Sequence, residues 1–406
     1  MTTSTAIHPF RIDIPQADLD DLFDRVRRAR WPQHPSGDDW ARGVPQTYLR
    51  ELAQYWTDGF DWRTQEAELN QFPQFTTIID GQTIHFFHVR SQVPGARPML
   101  LTHGWPSSPV EFRNLIGPLT DPAAHGGDPG QAFHLVLPSL PGYGFSAPVS
   151  GPGWGNLFTV AQAWSELMNR LGYPRYAVHG TDAGGGVASL LGMVAPEAVI
   201  GIHLTGTGPA FPFGPPLETD GLDGADLARA ERYNARREDG FGYLHLQATR
   251  PQTLSYALTD SPLGQLAWIV EKFAEWTDPA KPLPHQAVEL DHLLASVTIT
   301  WLTGAGGSSA HAVYEGMLAY RELVGSAEGG GESWGASGDD AEGAGGWPAG
   351  PPTGYSVFAA DDTIASVVDP AGTAHWVNHD RGGHFPSMEV PELMVADLRN
   401  FFGPLR

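Results

Sequence analysis

An aspartate stands between glycines at the end of an apolar strand, in the run Gly180-Thr181-Asp182-Ala183-Gly184-Gly185. Tyr176 to His179 reads as a short buried strand, and Gly184 to Val194 as the start of a helix rich in small residues. A strand, a sharp turn and a helix with glycines around one central residue make a nucleophile elbow, which stands that side chain clear of the sheet edge. Serine at this place would serve acyl transfer. A carboxylate does something else: attack on carbon gives an ester, and water can hydrolyse that ester at the enzyme's own carbonyl. Serine attacking a saturated carbon would leave an ether with no carbonyl. Asp182 therefore points to displacement at a saturated carbon, against the plainer reading of an aspartate favoured by a turn.

Epoxides and alkyl halides offer such carbons. Hydrolysis of the resulting ester needs a base for water and an acid to orient that base, following the nucleophile in the order acid, then histidine. Arg381-Gly382-Gly383-His384-Phe385 sets a histidine in a glycine loop between the last strand signal and a closing helix, which raises His384 above the other fifteen histidines. Asp361 and Asp362 follow the strand signal Tyr355–Phe358, so both lie at a strand's carboxyl end, where sites of this kind are built. His103-Gly104-Trp105-Pro106 ends another strand, and the N–H groups of Trp105 and Ala183 are candidates for an oxyanion hole. Opening an epoxide also creates an alkoxide that needs a proton. A tyrosine, neutral at pH 7, suits that role, and Tyr233, Tyr243, Tyr256, Tyr314 and Tyr320 all follow the elbow. His375, His379 and Asp380 lack the helical context that would bring them onto one face, so no metal is expected.

The elements that must carry these residues follow from periodicity. Leu19, Leu22, Phe23 and Val26 repeat at helical spacing, and residues 1–76 read as a helical N-terminal segment. Thr77–Ile79 and Ile84–Val89 flank Asp80-Gly81, a hairpin signal. From there to residue 206 strands alternate with helices, which predicts a mostly parallel α/β sheet over 77–206. Residues 207–324 carry prolines and helical repeats such as Leu263, Leu266, Ala267 and Val270, the pattern of a helical cap insertion. Residues 325–352 hold ten glycines and five acidic residues without Lys or Arg, so a flexible surface loop is expected. Strand signals and a closing helix then complete the core over 353–406.

Composition narrows the class. With 24 Lys plus Arg against 46 Asp plus Glu, the chain carries a formal charge of -22, which repels nucleic acid and anionic lipid. The absence of cysteine excludes disulfides, thiolate metal sites and cysteine nucleophiles. No signal peptide precedes residue 10 and no apolar run reaches the roughly 20 residues that span a bilayer, so a cytoplasmic protein without a membrane partner is expected. The sequence leaves the oligomeric state open, a homodimer included.

Taken in order, these motifs make the chain resemble the microsomal-type epoxide hydrolases over most of its length. Phe10-Arg11-Ile12-Asp13-Ile14, Arg30-Trp31-Pro32 and Asp61-Trp62-Arg63 resemble that family's N-terminal segment, and His103-Gly104-Trp105-Pro106-Ser107-Ser108 its oxyanion loop. Pro138-Ser139-Leu140-Pro141-Gly142-Tyr143-Gly144-Phe145-Ser146 and Gly382-Gly383-His384-Phe385, followed by Glu389, match further segments. The resemblance implies an α/β-hydrolase fold and conversion of an epoxide to a vicinal diol, with the epoxide and water as partners, no cofactor, and a place in detoxification or secondary metabolism. It implies Asp182 as nucleophile and His384 as base. It selects Asp361 through Val357-Phe358-Ala359-Ala360-Asp361, and Tyr243 through Gly242-Tyr243-Leu244-His245-Leu246-Gln247.

Three departures stand out. Ala183 replaces the family's usual tryptophan, which implies a roomier pocket. Val313 falls where a second ring-opening tyrosine belongs, with Tyr314 one place later, so either Tyr314 substitutes or Tyr243 acts alone. Segment 325–352 is extra. Haloalkane dehalogenases share the aspartate elbow, but Ala183 lacks the indole that binds halide in them. A non-catalytic ligand-binding protein would be expected to lack one of Asp182, Asp361 and His384.

Overall fold

Asp80 and Gly81 both take positive φ, 47° and 82°, which matches the twist of a two-residue hairpin and turns one strand directly into the next. The computed structural model describes residues 5–33, 39–209, 213–328 and 350–405. Its strands are β1 (His8–Phe10), β2 (Gln74–Ile79), β3 (Gln82–Val89), β4 (Arg97–Thr102), β5 (Phe133–Pro138), β6 (Tyr176–Thr181), β7 (Val199–Thr205), β8 (Thr353–Val357) and β9 (His375–Asn378). They form one sheet in the order β1-β2-β3-β5-β4-β6-β7-β8-β9. β1, β2 and β3 pair antiparallel, β3 meets β5 antiparallel, and every pairing from β5 to β9 is parallel.

The central strands are apolar on both faces because helices cover both. Met99, Leu100, Leu101, Leu135, Val136, Leu137 and Val178 are fully buried, as a parallel sheet between helical layers requires. Helices Leu157–Arg170, Ala183–Val194 and Pro391–Phe402 pack against it. In Leu157–Arg170 the buried side chains are Val160, Ala161, Ala163, Trp164, Leu167 and Met168, one broad helical stripe, whereas Ala183–Val194 is apolar nearly all round.

The N-terminal segment departs from a purely helical reading in two respects, the first being that β2 already begins at Gln74. Helices Gln16–Arg27, Gln46–Asp58 and Trp62–Leu69 form as their periodicity predicts, but His8–Phe10 adds a three-residue edge strand to β2. Three residues are too few for a period-2 pattern to show in sequence. This segment ties the sheet to what lies above it. Trp56 Nε1 donates to Thr298 Oγ1 at 2.9 Å in the interior, and Tyr55 O–H donates to Asp291 at 2.8 Å.

Between β7 and β8 the described chain is helical: Gly224–Arg236, Gly242–Gln247, Pro251–Asp260, Pro262–Trp276, Leu290–Leu302 and Ala305–Glu328 are its principal helices. They stand over the carboxyl ends of β4 to β8 as a cap. The loop expected over 325–352 falls mainly outside the described residues. Its first four positions complete the helix that ends at Glu328, and 350–352 lead into β8.

Candidate active site

Asp182 sits in a conformation that side chains rarely adopt, φ 54° and ψ −126°. The glycines around it make this turn sterically open. A Cβ on Gly180 would meet the Gly184 carbonyl oxygen at 2.1 Å, and one on Gly184 would meet the Thr102 carbonyl oxygen at 2.0 Å. Strand, helix and neighbouring β4 thus touch backbone to backbone, and the strain at Asp182 is held by that packing. The side chain projects beyond the end of β6 into the space below the cap.

The two carboxylate oxygens of Asp182 have different surroundings. Oδ1 accepts a hydrogen bond from the Trp105 N–H at 3.0 Å. Oδ2 faces His384 Nε2 at 3.7 Å. The loop that offers the Trp105 donor is pinned by His103, whose Nε2 accepts from the Leu140 N–H at 3.1 Å; its Nδ1 then donates to the Gly104 carbonyl at 3.0 Å. Burial pushes the His103 pKa down to about 4, so the ring stays neutral and keeps that pattern. Ala183 opens the elbow helix and lines the same cavity, with its N–H among the free donors of a helix first turn.

His384 hangs from its glycine loop by a backbone bond to the Trp276 carbonyl at 2.8 Å, and its ring packs against the Trp276 indole at 4.9 Å. Burial lowers its pKa below the ordinary value; the charges of Asp182 and Asp361 pull the other way and do not prevail. The imidazole is accordingly a neutral base at pH 7.

The two aspartates after β8 part company. Asp361 accepts from the Gly206 N–H at 3.0 Å and from Thr363 N–H and O–H at 2.8 and 2.7 Å. Gly206 also lies against His384 Nδ1, where a Cβ would come within 3.1 Å. Asp362 is turned away and occupied by Arg232 and Arg236, each at 2.6 Å. Asp361 shares Gly206 with the His384 ring and its charge favours the imidazolium, without a hydrogen bond or ion pair to the ring.

Above Asp182 lies a cavity of about 350 Å³ between core and cap. Trp105, Tyr143, Ala183 and Tyr243 are on its wall, and so is one face of the helix Ala305–Glu328: Val313, Gly316, Met317 and Tyr320. Those four are spaced i, i+3, i+4 and i+7, a single helical stripe. Tyr314 is off that stripe and does not line the cavity, which corrects its expected role: one residue on a helix is a turn of about 100°. Tyr243, on the helix Gly242–Gln247, does reach the cavity. Its phenol is pushed strongly toward the neutral form by burial and then by the Asp182 charge.

Two residues near this site have no role in the sequence reading, although Tyr143 stands in the motif Pro138–Ser146. Tyr143, fully buried on the cavity wall, is likewise held neutral by burial and by Asp182. Glu111 is buried close enough to feel the Asp182 charge; burial pushes its pKa up to about 8, and Oε1 has no hydrogen-bond partner. The available signal for Glu111 was a lone acid amid Ser108-Pro109-Val110 and Phe112, all of which are buried. Among the described residues no cluster of acidic and histidine side chains has the makings of a metal site, and no helix is long and apolar enough to cross a membrane.

Comparison with known proteins agrees with this architecture. Residues 7–112 match the family model "Epoxide hydrolase N terminus", and residues 97–237 match "alpha/beta hydrolase fold". A protein of Stigmatella aurantiaca (strain DW4/3-1) is 42% identical over 415 residues, 98% of this chain and 86% of that protein. Epoxide hydrolase 1 of Sus scrofa is 32% identical, covering 98% of this chain and 89% of the pig protein. The solved structure of Aspergillus niger epoxide hydrolase superimposes with a TM-score of 0.79 at 32% identity, covering 100% of this chain and 98% of that one. A nucleophile elbow carrying aspartate, the N-terminal segment and this near-full-length likeness together place the chain in the microsomal-type epoxide hydrolase family of α/β-hydrolases.

Proposed function

We propose that this protein hydrolyses an epoxide to a vicinal diol through an ester on Asp182. One observation carries the reading. The Asp182 carboxylate has one oxygen on a backbone donor and the other facing the half-buried His384, at the floor of a cavity that Tyr243 also lines. Oδ2 attacks an epoxide carbon, the ring C–O bond breaks, and Tyr243 gives its proton to the departing oxygen. Oδ1, now the ester carbonyl, stays on the Trp105 N–H, with Ala183 N–H as the second donor.

His384 Nε2 then takes a proton from water as the hydroxide adds to the ester carbon. Asp361 favours the Nδ1–H tautomer that leaves Nε2 free, and it steadies the imidazolium. Collapse of the tetrahedral intermediate releases the diol with the former Oδ2, and the His384 proton neutralises it. The Asp182 carboxyl then releases the hydroxyl proton that came from water, and Tyr243 regains a proton through solvent. The wall is mostly aromatic and aliphatic, which supports a lipophilic epoxide of moderate size, and Ala183 leaves room where a tryptophan would fill it.

A single turnover in ¹⁸O-water distinguishes this course from direct attack. The label is expected on Asp182, and the first diol should carry unlabelled oxygen from the enzyme. Label passing straight into the diol, with none on Asp182, would refute the ester.

A further inference from the structure

Tyr243 faces a problem that its own surroundings make worse. Giving up a proton leaves a phenolate among aromatic rings, and burial and the Asp182 charge both oppose that anion. An acid so strongly held neutral transfers its proton slowly unless something stabilises the charge it acquires.

A buried cation lies against the ring. Lys272, on the helix Pro262–Trp276, is 3% exposed, and its Nζ stands 4.8 Å from the Tyr243 ring centroid and 5.9 Å from that of Trp276. It is pinned by Glu271 Oε1 and Glu275 Oε2, each at 2.8 Å. Those carboxylates offset the cost of burying the ammonium. Two indoles flank the ring: Trp105 stacks on it at 4.8 Å and 17°, and Trp276 meets it edge-on at 5.4 Å and 63°. Arg236, on the helix Gly224–Arg236, also favours the phenolate, while Glu275, Asp182 and Tyr143 disfavour it.

We infer that Lys272 is a positioning residue for ring opening, placed to stabilise the charge that Tyr243 acquires when it protonates the epoxide oxygen. A neutral phenol offers the ammonium only its ring quadrupole. A phenolate spreads a full charge into the same ring, and the low exposure of Lys272 leaves that attraction weakly screened. The interaction is therefore stronger in the transition state than before it, which is the condition for accelerating a step. Ester hydrolysis runs through His384 and does not call on this pair. Glu275 acts with the opposite sign, because its carboxylate repels the phenolate.

This inference rests on the epoxide-opening reading, and opposite signs separate it from a structural role. Single-turnover tryptophan fluorescence, following ester formation and ester hydrolysis as separate phases with a reactive aryl epoxide, is the measurement. Wild-type enzyme must first form the ester; if it forms none, the proposed function itself fails and the role of Lys272 fails with it. Given the ester, Lys272→Met is expected to slow its formation about tenfold, with hydrolysis changed less than about twofold. Lys272→Arg should restore formation to within about threefold, and Glu275→Gln should speed it by about threefold. Equal slowing of both phases in Lys272→Met, or slowing in both Lys272→Met and Glu275→Gln, would overturn the inference. If Lys272→Met does not fold, Lys272→Arg and Glu275→Gln decide alone, and slower ester formation in Glu275→Gln overturns it.

Discussion

The indole of Trp105 stacks on the phenol of Tyr243 at 4.8 Å with 17° between the planes, while the backbone N–H of the same Trp105 donates to Asp182 Oδ1. One residue thus couples the donor on Asp182, the proposed nucleophile, to Tyr243, the proposed proton donor. The coupling runs between the end of β4 and a cap helix, so seating the cap and completing the site are a single event. Such an aromatic pair contributes about 1 kcal/mol beyond the area it buries.

Removing the base should separate the two halves of the reaction. His384→Gln retains Asp182, Trp105 and Tyr243, so ring opening proceeds and the ester accumulates. Turnover is expected to fall by about 10³-fold or more. Mass spectrometry of the peptide containing Asp182, quenched after mixing, should show one substrate added per enzyme. Steady turnover at the wild-type rate would rule His384 out as the base.

The cap tyrosines Tyr243 and Tyr314 should behave differently. Tyr243→Phe keeps the stack on Trp105 but removes the proton, and ester formation should slow by about 10²-fold. Tyr314→Phe should stay within about twofold of wild type, because Val313 and not Tyr314 is on the cavity stripe. Stopped-flow rates for the two variants test this directly. A large loss in Tyr314→Phe would mean that this helix turns differently in the working enzyme.

The acid limb of ester hydrolysis reports on His384. Only the neutral imidazole accepts a proton, and burial lowers its pKa from the ordinary value. The hydrolysis rate should therefore hold as pH falls through about 6.5 and decline only below it. Asp361→Asn removes a charge that favours the imidazolium, so the midpoint should move further down while the plateau rate drops about tenfold or more. A midpoint above 6.5 in the wild type would contradict the burial argument.

Glu111 links stability to pH. Its pKa rises from 4.5 in the unfolded chain to about 8 in the fold, so the fold favours the protonated acid. That stabilisation is complete below pH 4.5 and is lost as pH rises through about 8. Glu389, pushed up to about 7 mainly by burial, acts in the same direction. Glu111→Gln keeps the neutral shape without the proton. Calorimetry should show wild-type Tm falling between pH 6 and 9 more steeply than that of the variant, with the two about 2 °C apart at pH 9. Parallel Tm curves would show Glu111 to be ionised throughout.

Local rules made much of this protein legible from its residues. The elbow at Asp182 was readable because an apolar strand, two glycines and a small-residue helix leave a backbone few options. Asp80-Gly81 was readable for a similar reason, since it marks a hairpin by its turn chemistry. His384 stood out by its glycine loop, and the helix face of Leu19, Leu22 and Val26 by its period. Contacts between distant segments carry no such local mark. Which of Asp361 and Asp362 is left to act on the histidine depends on Arg232 and Arg236 neutralising Asp362, and those arginines lie on a helix far away in the chain. The cavity stripe of Val313, Met317 and Tyr320 is set by how their helix is rotated against the core. Glu111 under the nucleophile, Lys272 against Tyr243 and the short edge strand β1 exist only because the chain folds back on itself. The order of chemical groups along the chain was local; which of them face one another is a matter of packing, and packing is decided in three dimensions.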